Sequence, residues 1–118
     1  MPAKLSTHVL DTANGRPAEG MQIELWSLAG AQPKLLKTAR TNADGRTDEP
    51  LLPAEEMKSG QYELVFYVGD YFARIVPGNG GMRFLDRVPV RFGIGDPQAS
   101  YHVPLLVSPW AYSTYRGS

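Results

Sequence analysis

An all-β sandwich carrying one short helix is the fold class this sequence predicts. Three observations lead there. Glycine and proline are frequent, 12 and 10 in a chain of 118 residues, and evenly spread. The segments between them are short. Several of those segments alternate apolar and polar residues, the period of a half-buried strand.

Taken in order, Leu5 to Leu10 alternates, with Leu5, Thr7 and Val9 on one face and Ser6, His8 and Leu10 on the other. Asn14-Gly15 predicts a turn that Pro17 and Gly20 prolong. Met21 to Leu28 predicts a second strand, Ile23 and Leu25 facing one way, Glu24 and Trp26 the other. Gly30 to Pro33 turns the chain into a third, more exposed strand, Lys34 to Thr41. Asn42-Ala43-Asp44-Gly45 has the composition of a hairpin turn, because Asp-Gly tolerates positive φ, and Arg46 follows at once. Pro50 and Pro53 bracket an irregular segment with room for a short edge strand. Gln61 to Val68 is a strand with Tyr62, Leu64, Phe66 and Val68 on one face. Asp70 is placed to cap the one predicted helix, Tyr71 to Val76, which ends near Pro77 and Gly78. Gly78-Asn79-Gly80-Gly81 predicts a loop. Arg87 to Ile94 aligns Val88, Val90, Phe92 and Ile94. After an Asp96-Pro97 turn, Tyr101 to Val107 and Trp110 to Tyr115 complete the sheets.

A chain of this length is expected to form one domain, residues 1–118, with a core of its own. Apolar content of 42% and charged content of 20% are ordinary for a globular protein and argue against disorder. Twelve basic residues balance twelve acidic ones. No basic face is in view for nucleic acid or an anionic membrane. With no cysteine, disulfides, thiolate metal sites and a cysteine nucleophile are excluded. Met1-Pro2-Ala3-Lys4-Leu5 carries no apolar leader and no apolar run is long enough to cross a bilayer, so a cytoplasmic location is expected.

The last eighteen residues are unusual. Chain ends are commonly polar and frayed. This one runs Tyr101-His102-Val103-Pro104-Leu105-Leu106-Val107-Ser108-Pro109 and then stops on Tyr115-Arg116-Gly117-Ser118. The face carrying His102, Pro104, Leu106 and Ser108 is poor in charge for an outward surface, which suggests a subunit interface or a covering loop. The chain's two histidines, His8 and His102, each sit near the start of an apolar strand, on the face opposite its best core residues. A single strand histidine is most often structural, and an arginine beside a turn, as Arg46 is, most often solvated. Two histidines make a poor zinc site without a third ligand. Neither a nucleophile elbow nor a phosphate loop is present. The groups on offer are imidazole, guanidinium, hydroxyl and a terminal carboxylate. They suit water activation and stabilisation of developing negative charge, hence hydrolysis of an activated carbonyl.

Leu5-Ser6-Thr7-His8-Val9-Leu10-Asp11, the Asp44-Gly45-Arg46 turn, Tyr101 to Pro109 and the terminal Tyr-Arg-Gly-Ser together resemble the 5-hydroxyisourate hydrolases of urate breakdown, which share a family with transthyretin. The resemblance covers essentially the whole chain. It implies a transthyretin-like β-sandwich of two four-stranded sheets and a homotetramer, a dimer of dimers with active sites in a channel at the dimer–dimer interface. It implies that the first, seventh and eighth strands share a sheet. It implies ring-opening hydrolysis of 5-hydroxyisourate to 2-oxo-4-hydroxy-4-carboxy-5-ureidoimidazoline, with no metal or cofactor. On this reading His8 or His102 is the general base, and Arg46 binds substrate oxygens and the oxyanion. Tyr115 holds substrate, Ser118 positions substrate or water, and Arg116 anchors the tail. Two other readings use the same chain: a carrier that binds an aromatic ligand without reacting, and a structural sandwich module. The two histidines, Arg46 and the polar tail favour chemistry over both.

Overall fold

The computed structural model describes residues 2–75 and 82–117. The expected Gly78 to Gly81 loop, the expected end of the helix at Val76 and Ser118 fall outside them. The strands are β1 (Leu5–Ser6), β2 (Val9–Asp11), β3 (Arg16–Pro17), β4 (Gln22–Ser27), β5 (Lys34–Arg40), β6 (Gly60–Tyr67), β7 (Arg87–Ile94), β8 (Tyr101–His102), β9 (Leu105–Val107) and β10 (Tyr112–Thr114), with helix α1 (Val68–Ile75) after β6. One four-stranded sheet has the order β10-β9-β2-β3 and the other β5-β4-β6-β7. The first, like the expectation for it, joins the chain's beginning to its end. It is mixed: β2 runs parallel to β9, while β3 and β10 are antiparallel edges.

Both sheets give alternate residues to one core. Leu5, Val9, Leu105 and Val107 come from the first sheet's side; Ile23, Leu25, Leu64, Phe66, Val88 and Val90 come from the second. Each such side chain, fully buried, contributes about 1.5–3 kcal/mol. The face alternation expected for β6 and β7 is present, Tyr62, Leu64 and Phe66 being buried in one and Val88, Val90 and Ile94 in the other. Val68 is also buried, but as the first residue of α1 rather than the last of the strand. The helix therefore starts earlier than expected, and Asp70 sits within its first turn instead of capping it. A carboxylate there still faces the positive end of the helix dipole. Among the described residues no helix is long and apolar enough to cross a membrane.

Four local expectations change. Arg16-Pro17 does not merely prolong a turn: it pairs with Asp11 and Leu10 as an edge strand, where a proline's missing N–H is tolerated. Between Pro50 and Pro53 the edge strand reduces to one bridge, Leu52 to Leu5, followed by a single 3-10 turn at Ala54–Glu56. The strand expected from Tyr101 to Val107 divides at Val103-Pro104, opposite a division at Thr7-His8. Pro104 is buried there rather than outward. The buried Thr7 hydroxyl donates to the Val103 carbonyl at 2.7 Å across this gap, and Leu105 N–H still donates to the His8 carbonyl at 2.9 Å. Parallel register is thus held from β1/β8 into β2/β9.

The Asn42 to Gly45 turn forms, but it does not make a hairpin. Gly45 N–H donates to the Asn42 carbonyl at 2.9 Å, and Asn42 Oδ1 accepts from the Asp44 and Arg46 amides. The chain then leaves β5 for the other sheet, where the Gly45 carbonyl accepts from Val9 N–H at 2.8 Å. Gly45 has φ +76°, and a Cβ on it would collide with the Val9 carbonyl oxygen. Gly45→Ala is expected to destabilise the fold by at least about 1–2 kcal/mol, the cost of left-handed backbone for an L-residue. Urea unfolding would show this as a lower midpoint at unchanged slope. The same contact seats Arg46, the next residue, against the first sheet.

Candidate active site

β1 and β8 lie side by side and parallel, Leu5 opposite Tyr101 and Ser6 opposite His102. Leu5 and Tyr101 go into the core, so Ser6 and His102 turn outward together. Ser6 Oγ meets His102 Nδ1 at 2.9 Å. The other edge of His102 belongs to the C-terminal tail: Gly117 bridges it antiparallel, its N–H donating to the His102 carbonyl at 2.8 Å.

Why glycine stands at 117 is a matter of room. A Cβ built there would lie 2.6 Å from His102 Cδ2 and 3.2 Å from Cγ. Only a residue without a side chain lets the tail run against the imidazole. The preceding residue holds the tail down. The Arg116 guanidinium lies over the Tyr101 ring at 4.2 Å, and one of its nitrogens donates to the Ser100 carbonyl at 3.3 Å. Tyr101 is a firm base, because its own hydroxyl accepts from the Gly95 and Asp96 amides at 3.1 and 3.0 Å. Tyr115 is 60% exposed. It lines a groove of about 620 Å³ with Ser100, His102, Arg116 and Gly117. A neighbouring apolar-walled groove of about 470 Å³ runs between the tail and β7.

Arg46 is exposed and lines a recess of about 170 Å³ that also includes Lys4, Ser6 and Thr7. It therefore shares Ser6 with the His102 neighbourhood. His8 is half-buried on the same face as Ser6 and Leu10. Burial holds the His102 pKa below the usual histidine value, and the charges of Arg46, His8 and Lys4 push it further down. Three distant stretches of chain thus act on one imidazole: the first strand, the turn after β5 and the tail. His8, Arg46, His102 and Tyr115 stand around this region, while Ser118 lies outside the described residues. Ser6 and Lys4 were not singled out from sequence. Strand parity, which puts Ser6 on the face of His8, is the signal that could have found Ser6; Lys4 precedes the strand and carries no such signal. Among the described residues no three His, Asp or Glu side chains are grouped to hold a metal.

The chemistry open to this arrangement is narrow. A neutral imidazole can take a proton from water. A guanidinium nearby can hold an oxygen that gains negative charge.

Comparison with known proteins agrees over nearly the full length. The protein from Halalkalibacterium halodurans named 5-hydroxyisourate hydrolase is 54% identical over 119 aligned positions, covering 100% of both chains. The structure of Klebsiella pneumoniae 5-hydroxyisourate hydrolase superposes with a TM-score of 0.80 at 36% identity, covering 98% of this chain and 100% of that one. The crystal structure of (S)-allantoin synthase superposes with a TM-score of 0.90 at 49% identity; this chain spans 45% of that longer protein. The family model described as HIUase/Transthyretin matches residues 5–117, and with that match this chain belongs to the HIUase/Transthyretin family.

Proposed function

We propose that this chain hydrolyses 5-hydroxyisourate to 2-oxo-4-hydroxy-4-carboxy-5-ureidoimidazoline, a step of urate degradation. The observation that carries the reading is the convergence on His102 of Ser6, the Arg46 and His8 charges and the docked Gly117. An imidazole held neutral beside fixed positive charge is what base-assisted attack on a carbonyl needs. Sequence identity over the full length to proteins named 5-hydroxyisourate hydrolase supports the same conclusion.

In this mechanism water gives a proton to an imidazole nitrogen of His102 as its oxygen bonds to the ring carbonyl carbon. Arg46 holds the carbonyl oxygen as it becomes an oxyanion. The carbon–nitrogen bond of the ring then breaks. The leaving nitrogen takes the proton back from the imidazolium, and the carbon side ends as the carboxyl group. His8 stands across the substrate as a second hydrogen-bonding imidazole. Tyr115 closes the groove, and Ser118 positions water or substrate. The working form is a homotetramer, a dimer of dimers, in which the outward face bearing His8, Leu10 and Leu106 meets its counterpart and completes the channel. The aliphatic side chains of Leu10 and Leu106, left partly exposed on that face, support this assembly.

The test is spectrophotometric. Urate oxidase generates 5-hydroxyisourate, and its absorbance is followed with and without this protein. Faster decay, saturable in substrate, is the expected result. Unchanged decay together with stoichiometric binding of an aromatic ligand would point to a carrier instead. Sedimentation in the same buffer is expected to give the mass of four chains.

A further inference from the structure

We propose that Ser6 is a positioning residue: its hydroxyl accepts from Nδ1–H of His102 and so leaves the Nε2 lone pair free to act as the base. This rests on the hydrolase reading for its consequence, but the proton's location can be measured without it.

A hydroxyl can donate or accept, so the 2.9 Å contact admits two tautomers. They differ in what His102 can do. If Ser6 donates, Nδ1 carries the lone pair and Nε2 carries hydrogen, so the ring offers the groove only an acid. If Ser6 accepts, Nε2 is the basic nitrogen. Nδ1 is taken up by Ser6 in either case, so any proton taken from water must go to Nε2. That nitrogen adjoins Cδ2, the ring atom against which Gly117 is pressed, and His102 lines the groove shared with the tail. A neutral base therefore requires hydrogen on Nδ1 and an acceptor for it. Ser6 supplies the acceptor, and strand pairing makes its position firm. The backbone bonds Tyr101 N–H to the Lys4 carbonyl and Val103 N–H to the Ser6 carbonyl, both 2.9 Å, bracket the Ser6–His102 pair. With χ motion of the ring restrained by Ser6 at one nitrogen and by Gly117 at the opposite edge, the imidazole is held in one orientation. The tautomer of a working histidine is set by the partner of its other nitrogen, here a serine hydroxyl.

The experiment reads ring nitrogens directly. The chain has two histidines, so long-range ¹H–¹⁵N correlation gives two sets of signals, and His8→Asn identifies those of His102. Wild-type protein at pH 8 is expected to show a protonated Nδ1 and an unprotonated Nε2 at His102. Ser6→Ala should shift the ring toward the Nε2–H form. It should also lower kcat by about tenfold or more with KM little changed, as loss of an orienting partner does. Ser6→Thr, which keeps the hydroxyl, should recover most of both. An unprotonated Nδ1 in the wild type, or a Ser6→Ala variant with full kcat, would overturn the assignment. Protonated Nδ1 in a wild-type protein that fails to hydrolyse 5-hydroxyisourate would overturn the hydrolase reading while upholding the tautomer.

Discussion

His102→Ala is expected to lower the turnover of 5-hydroxyisourate by about two to four orders of magnitude, the usual worth of a positioned general base. His8→Asn is expected to lose at least about two. His102 is only half-buried and is no part of the apolar core, so the variant should melt close to the wild type. The pH dependence gives the sign. A base must be unprotonated, so kcat falls as pH drops through the His102 pKa. Burial first, then Arg46, His8 and Lys4, hold that pKa below the ordinary value of about 6.5. The acid limb of the profile should accordingly lie below that value. Arg46→Gln removes a positive charge that opposes the imidazolium, so the limb should move up while kcat falls. Folding follows the same direction. A histidine whose pKa is lowered in the folded state makes stability decline as pH falls below the unfolded value. His102→Ala should flatten that decline. Near-wild-type turnover in both His102→Ala and His8→Asn would remove these imidazoles from the chemistry.

The parts of this molecule that were legible in sequence are those where one strand face meets the core. In β6 and β7 a period of two is written plainly because alternate residues are buried. Val68 shows the limit of that reading. It is buried as the first residue of α1 and would be buried as the last of a strand, so burial does not mark the boundary. Arg16-Pro17 is too short to show any period, and its identity as a strand comes entirely from pairing with β2. The Asn42 to Gly45 turn was legible as backbone geometry, but its destination is set by Val9, far off in the sequence. The candidate site follows the same division. His8, Arg46, His102 and Tyr115 stand out as residue types in suggestive places. Ser6 does not, because its role depends on a parallel partner 96 residues away, and periodicity carries no information about which strands are neighbours.

Gly117→Val is expected to cost on the order of 100-fold in turnover while lowering the melting temperature by only a few degrees. The structural cause is the 2.6 Å that would separate a Cβ from His102 Cδ2, closer than carbon atoms pack. The obstacle is a ring already fixed at Nδ1 by Ser6, so it does not yield as the end of a flexible side chain would. Either the tail lifts off or the imidazole turns away from Ser6. Both move reacting groups by roughly 1 Å, a displacement that costs on the order of 100-fold when catalysis depends on alignment. Stability is affected little. The tail is peripheral, and what is lost is one backbone bond to the His102 carbonyl, about 0.5–1.5 kcal/mol. Arg116→Ala weakens the same docking by a gentler route, removing the guanidinium from Tyr101 while leaving the His102 bridge in place, so its loss of turnover should be smaller. The collision at 117 begins with the first side-chain carbon. Gly117→Ala should therefore do nearly all the damage that valine does, and full turnover in the alanine variant would mean that the tail's contact with the imidazole has no part in the reaction.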